Sequence, residues 1–251
     1  MIPLSDDEKQ LRLRVPFPAN IRLACQAYVK GTNLKVHRMI RDEADIKMYI
    51  QGDTKNDLEN IGEEKELALF FLDIRNFTAF METYLPFDVI HIMRRLFSLF
   101  RQAIEANDGR IIETGGDGFY AVFGFDSSIA DAVQNSCNAG FKILSNLNDF
   151  NDSYIVKNFN HRFQVGIGVH CGNIIYGDIG IGVNNNLTVM GLPVNIASRL
   201  QAATKDFNNS FIMSDTAYSL LKEKPKADIK EAHLKGIKEK VICHLIGEAY
   251  K

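Results

Sequence analysis

Two aspartates carry the first chemistry legible in this chain. Asp73 closes the apolar run Leu67–Leu72, within Phe71-Leu72-Asp73-Ile74-Arg75-Asn76-Phe77-Thr78. A carboxylate at the end of a buried strand can reach solvent while its backbone stays fixed. The turn that follows, through Asn76, Phe77 and Thr78, offers main-chain N–H groups near a helix start, which suit anionic oxygens. Asp117 stands in Glu113-Thr114-Gly115-Gly116-Asp117-Gly118-Phe119. Its flanking glycines permit the positive φ angles of a hairpin turn and the close approach of a ligand. Read singly, Asp73 is an N-cap and Asp117 an ordinary Asp-Gly turn. Read together, two carboxylates on adjacent strand ends can hold two divalent ions, which would clamp the attacking and leaving oxygens of a displacement at phosphorus.

A scaffold that presents these residues can be read from the hydrophobic periods. Leu67–Leu72 is continuously apolar and reads as a buried strand. Residues 86–107 place Val89, Ile92, Met93, Leu96, Phe97, Phe100 and Ile104 at helical spacing. Asp108-Gly109 turns the chain into a strand through Ile111-Ile112. After the glycine turn, Phe119–Phe123 returns as its partner. Residues 128–148 read as a second helix, Arg162–His170 and Leu187–Met190 as strands, and Val194–Thr204 as a helix. Strand–helix alternation around an internal hairpin predicts an α/β fold: a ferredoxin-like sandwich whose helices flank a mostly antiparallel sheet.

A third motif, Thr188-Val189-Met190-Gly191-Leu192-Pro193-Val194-Asn195-Ile196-Ala197-Ser198-Arg199-Leu200, completes a pattern. Asn195 and Arg199 are four apart and so share a helix face. With Asp73 and Asp117 in this order, the chain resembles the class III nucleotide cyclases over roughly residues 66–247. The glycine hairpin alone also resembles that of diguanylate cyclases, where the Asn195–Arg199 pair has no role. His233-Leu234-Lys235-Gly236-Ile237 is similar to the family's fourth signature, and Gly166–Gly172 with Tyr176–Gly180 to its central strand and glycine-rich hairpin. Those glycines are read as turn and packing residues, and His170 as structural.

The resemblance implies cyclisation of a nucleoside triphosphate to a 3′,5′-cyclic nucleotide with release of pyrophosphate. It implies two Mg²⁺ or Mn²⁺ ions at Asp73, Ile74 and Asp117. It makes Asn195 and Arg199 catalytic, and Asn76, Phe77, Thr78, Glu113, Thr188 and Lys235 substrate-binding. It further implies a homodimer with shared sites. One subunit supplies Asp73 and Asp117, and the other Glu113, Thr188, Asn195, Arg199 and Lys235. Two departures stand out: Asn76 where many members have glycine, and Leu192 where many have aspartate.

The base is read at two positions. Adenylyl cyclases of the family usually carry lysine where this chain has Glu113. A carboxylate only accepts hydrogen bonds, so it repels an unprotonated adenine N1 and suits the N1–H and N2–H donors of guanine. Thr188 can donate to guanine O6 or accept from adenine N6 and does not discriminate. GTP is therefore favoured over ATP. Pyrimidine triphosphates are a third reading, and a catalytically inactive nucleotide-binding or dimerisation domain is the rival from another class.

The remaining sequence sets bounds. Lys and Arg total 29 against 31 Asp and Glu, which gives no electrostatic footprint for nucleic acid. No apolar run reaches the roughly 18 residues of a membrane span, and a cytoplasmic setting is expected. Cys25, Cys137, Cys171 and Cys243 are scattered and read as reduced thiols. The expected domains are residues 1–62, an N-terminal segment ending in the polar linker Gln51–Asp57, and 63–251, the catalytic domain. Within the first, Ile21–Val29 and Leu34–Ile40 read as a β-hairpin. Arg22–Gln26 resembles the end of a plant-type [2Fe–2S] ferredoxin, but the C-x4-C-x2-C run is absent and no cluster is expected. That segment could couple to an upstream sensor domain.

Overall fold

The computed structural model describes residues 62–177 and 187–250, together with Lys9. The chain divides into two compact units, and the fold below is that of Glu63–Tyr176 with Asn186–Lys251. The expected hairpin of Ile21–Ile40, Cys25, the linker Gln51–Asp57 and Asp178–Gly180 lie outside the described residues.

Strand β1 (Glu63–Ile74) is central and pairs on both sides, which is why it is apolar on both faces. It runs antiparallel to β3 (Gly118–Phe123) and to β4 (Val165–Gly177). Alternation sends Phe70, Leu72 and Ile74 to one face and Leu67, Leu69, Phe71 and Asp73 to the other. Two long helices cover the first face. Helix α2 (Pro86–Glu105), which follows the short α1 (Phe77–Thr83), buries Val89, Ile92, Leu96 and Phe100 at spacings of three and four. Helix α3 (Ile129–Phe150) starts where the Ser128 hydroxyl accepts from the Asp131 N–H. Each fully buried Phe or Leu in this core stabilises the fold by about 1.5–3 kcal/mol.

The hairpin β2 (Gly109–Gly115)–β3 completes the sequence β1-α2-β2-β3-α3-β4, with strands ordered β2-β3-β1-β4. That is the ferredoxin-like arrangement expected. The sheet continues through β6 (Phe211–Ser214) to β8 (Val241–Leu245) and β7 (Asp228–Ala232), and β5 (Thr188–Met190) pairs with β4. Along the path from β2 to β7 the β4–β6 pairing is parallel and the others are antiparallel.

The second face carries helix α5 (Leu192–Asp206), while α6 (Asp215–Ser219) follows β6. Helix α5 lies against alternate glycines of β4. A Cβ on Gly168 would fall 2.6 Å from the Ala197 carbonyl and closer still to the Gln201 nitrogen. On Gly172 it would meet the Pro193 ring at 2.8 Å. The glycines of Gly166-Ile167-Gly168-Val169-His170-Cys171-Gly172 therefore serve packing rather than turns.

Several elements differ from the sequence expectation. The second long helix runs two residues further and passes into a π-helical turn, Asn151–Ile155, and α4 (Val156–Phe159). The Asn151 side chain accepts from the Phe163 N–H and donates to its carbonyl, which holds residues 162–164 out of the strand. The strand expected at Arg162 thus begins at Val165 and continues to Gly177, because it pairs with β1 along that length. Strands β6, β7 and β8 are too short to show a period. Among the described residues, no helix is long and apolar enough to cross a membrane. Cys137, Cys171 and Cys243 are buried free thiols, with burial pushing the first two up to about 12 and the third to about 11.

Candidate active site

Asp73 sits half-buried near the C-terminal end of β1, opposite Gly118 in the β1–β3 register. The Ile74 N–H donates to the Asp117 carbonyl at 3.2 Å, which pins the hairpin turn beside the strand end. Gly116 takes φ +60, within the left-handed region that glycine accepts without strain. Gly118 leaves no room for a side chain, since a Cβ there would lie 2.7 Å from the Leu72 carbonyl and 3.1 Å from Asp73 Oδ1. The hairpin thereby brings the Asp73 and Asp117 side chains within hydrogen-bonding reach of each other.

This pair is electrostatically unfavourable by itself. Burial raises the Asp73 carboxyl above its usual range, and the neighbouring Asp117 charge raises it further. Arg75, whose Nη1 lies 3.6 Å from Asp73 Oδ2, opposes both. Two crowded carboxylates form a hard-oxygen donor set that suits Mg²⁺ or Mn²⁺. Among the described residues, no cluster of three or more His, Cys, Asp or Glu could hold a metal. The protein offers few ligands here, as Mg²⁺ sites completed by phosphate and water do. Ile74 is buried, so only its main chain could reach an ion, and the same holds for Phe77 toward a ligand.

The turn after β1 is not capped by Asp73. Asn76 caps α1, with φ 55 and no side-chain cap bond. Glycine and asparagine are the residues that adopt this conformation most readily, which accounts for asparagine where a glycine is common. The carboxylate of Asp73 is thus left for other work. Thr78 is exposed in the first turn of α1.

Glu113 lies in β2 opposite Tyr120, just past a register shift between Ile111 and Glu113. It shares with Asp73 a cavity of about 220 Å³, also lined by Phe71, Tyr120 and Gln201. Tyr120 stacks on Phe71 at 4.9 Å, and burial, then Glu113, raises its phenol above the usual range. Glu113 thus meets Asp73 within one chain, although the resemblance assigns the two to different subunits; Thr188, Asn195, Arg199 and Lys235 do not line this cavity, and neither does Asp117. Asn195 and Arg199 are exposed on α5, and Lys235 is exposed in the loop between β7 and β8. Beside them Met190 and Leu192 expose 48% and 60% of their surface. His170 is buried, with Nδ1 2.7 Å from the Ser214 hydroxyl; burial pushes its pKa down to about 4, so it is neutral at physiological pH and structural.

Sequence reasoning overlooked Tyr120, Gln201 and Arg75. The signal for Arg75 was present: it stands two residues after Asp73, and period two puts both on one side of a strand end. Tyr120 and Gln201 become neighbours of Asp73 only through strand pairing and helix docking.

Comparison with known proteins is consistent across three kinds of evidence. Residues 60–248 match the family model described as the adenylate and guanylate cyclase catalytic domain. Adenylate cyclase 1 of Rhizobium meliloti is 29% identical over 164 residues, covering 64% of this chain and 24% of that protein. The receptor-type guanylate cyclase gcy-13 of Caenorhabditis elegans is 28% identical over 159 residues, covering 62% of this chain and 15% of that protein. The chain therefore spans a quarter or less of the length of these two relatives. The adenylyl cyclase CyaB of P. aeruginosa superposes with a TM-score of 0.68 at 21% identity, covering 75% of this chain and 97% of that one. The guanylyl cyclase Cya2 gives 0.67 at 21% identity, covering 76% and 95%. These likenesses establish the fold.

Proposed function

The chain belongs to the adenylate and guanylate cyclase catalytic domain family, and from that premise we propose that it cyclises GTP to 3′,5′-cyclic GMP and pyrophosphate at sites shared by two subunits. The observation that carries the reading is the juxtaposed, partly buried pair Asp73 and Asp117, which calls for divalent cations. In the reaction the ribose 3′-oxygen bonds to the α-phosphorus, the bond from that phosphorus to the β-phosphate oxygen breaks, and the 3′-hydroxyl proton is lost. Two Mg²⁺ or Mn²⁺ ions, held by Asp73 and Asp117 with the Ile74 main chain, would supply Lewis-acid activation of that hydroxyl and neutralisation of the triphosphate.

The chain's own residues do the positioning. Asn195 orients the ribose, and Arg199 meets the negative charge that builds on the phosphoryl oxygens. Lys235 holds the triphosphate, and the main chain of Asn76, Phe77 and Thr78 lies beside it. Glu113 accepts from guanine N1–H and N2–H, and Thr188 donates to O6. Exposure of Asn195, Arg199 and Lys235 outside the Asp73 cavity supports their service to a partner's site, whereas Glu113 lines the Asp73 cavity of its own chain. Exposed Met190 and Leu192 next to them support a subunit interface there.

A second reading, ATP as substrate, is favoured by the names of the relatives from Rhizobium meliloti and Anabaena cylindrica, both adenylate cyclases. Residues 1–62 are proposed as a separate segment ahead of the catalytic domain. The decisive test is turnover with each of the four ribonucleoside triphosphates in Mg²⁺ and in Mn²⁺, with the cyclic product identified. Cyclic GMP as the main product is expected. Cyclic AMP as the main product would overturn the base assignment, and no product with any nucleotide would overturn the enzyme reading.

A further inference from the structure

We propose that Arg75 is a positioning residue that fixes the carboxylate of Asp73 and ties it to helix α5. The inference rests on the cyclase reading of Asp73. Its ground is the number of groups that converge on one guanidinium. Nη2 donates to the Gln201 carbonyl at 3.0 Å and to the Thr204 hydroxyl. Nε donates to the Tyr250 hydroxyl at 3.2 Å, and that hydroxyl donates in turn to the Val165 carbonyl at 3.3 Å. Nη1 faces Asp73 Oδ2. The Arg75 main-chain N–H donates to the Gln164 carbonyl at 2.7 Å, so the backbone is held as well as the side chain.

The surroundings are shaped for this. Any Cβ on Gly166 would overlap the guanidinium and the Thr204 hydroxyl, so the alternate glycines of β4 make room for the arginine as well as for α5. Thr204 is fully buried, and the Arg75 side chain keeps 15% of its exposure. A planar fork of fixed donors suits this array, and a lysine would satisfy one part of it. With Oδ2 facing Arg75, Oδ1 is the oxygen beside Gly118 and the hairpin that carries Asp117. The arginine thereby selects which oxygen of Asp73 is turned toward the second carboxylate. Through Gln201 and Thr204 it also joins that carboxylate to the helix bearing Asn195 and Arg199.

A cation beside a metal ligand also repels the metal, so deletion of the arginine would mix two opposed effects. The informative variants keep the charge and remove the anchorage: Arg75→Lys, and Thr204→Val with Arg75 intact. Mn²⁺ binding to the full chain is read by the loss of the free-ion electron paramagnetic resonance signal, with Asp117→Asn alongside and urea midpoints recorded. Positioning predicts that Arg75→Lys and Thr204→Val each weaken Mn²⁺ binding by about tenfold, the lower end for groups that orient metal ligands. Half-maximal turnover should need correspondingly more Mn²⁺, while kcat at saturating Mn²⁺ stays within about threefold. If both variants bind Mn²⁺ within about twofold of the parent, while Asp117→Asn does not, the positioning role is overturned and the metal site stands. If Asp117→Asn binds as tightly as the parent, the metal site itself is overturned. Should Arg75→Lys fail to fold, Thr204→Val decides alone.

Discussion

At the scale of single residues, the carboxylate pair is held in a state that costs energy, since burial and mutual repulsion both oppose ionisation of Asp73. Burial and the Asp117 charge raise the Asp73 carboxyl, so under the proposed function a proton would compete with the metal over a range where an ordinary aspartate would not. As pH falls, metal-dependent turnover is expected to decline earlier than an unperturbed aspartate would dictate. Added Mn²⁺ should move that acid limb to lower pH, because metal and proton compete for the same oxygens. An acid limb independent of Mn²⁺ concentration would show that Asp73 is not the titrating ligand. Glu113 makes a second prediction at this scale. Glu113→Lys replaces an acceptor by donors, and relative kcat/KM is expected to shift from GTP toward ATP by about tenfold or more, the worth of one hydrogen bond to a charged group. A parent enzyme that already prefers ATP would contradict the role given to Glu113.

Elements impose the next constraint, because α5 approaches β4 closely enough that only glycines fit at Gly168 and Gly172. Gly168→Ala would drive a methyl group into the Gln201 nitrogen and the Ala197 carbonyl, both main-chain atoms of the helix that presents Asn195 and Arg199. A loss of about 1–3 kcal/mol in stability, as for other overpacked sites, should appear in urea unfolding, together with a fall in kcat. Gly115→Ala, at a position open to solvent on the hairpin, serves as the comparison for stability. The splice between β4 and β6 carries a pH signature of its own. Folded His170 resists protonation down to about 4, whereas the unfolded imidazole takes a proton near 6.5. The unfolded state thus binds more protons in this window, and stability is lost as pH falls from 6.5 toward 4, by up to about 3 kcal/mol. His170→Gln, which can still bond to Ser214, should flatten that part of the stability profile.

For the whole molecule, the central question is how many chains make one site. The proposed sharing predicts that Asp73→Ala and Arg199→Ala homodimers are each inactive, since each loses one half of both sites. Mixed, they should regain activity, because a heterodimer keeps one site with both halves intact. Equal mixing gives heterodimers as about half of all dimers, each with one working site of two, so recovery near a quarter of parent activity is expected. Recovery near zero, with heterodimers demonstrated by mass, would place all the groups in one chain.

The motifs were legible in the sequence because they are local. Asp73, Asp117, Asn195 and Arg199 sit at strand ends, a glycine turn and a helix face, and their spacing reports those settings directly. The long helices and the βαββαβ order were legible for the same reason: periods of 3.6 and 2 extend over enough residues to be read. Tertiary structure alone decided what pairing and docking create. It put Glu113, Tyr120 and Gln201 around Asp73, set Arg75 between a strand end and a helix, and gave β4 its length. It also made Asn76 rather than Asp73 the cap of α1. Such contacts join residues far apart in the chain, and they depend on register and close approach, which no local pattern encodes. The sequence thus determined the chemical groups and the elements that bear them, while the fold decided which groups meet.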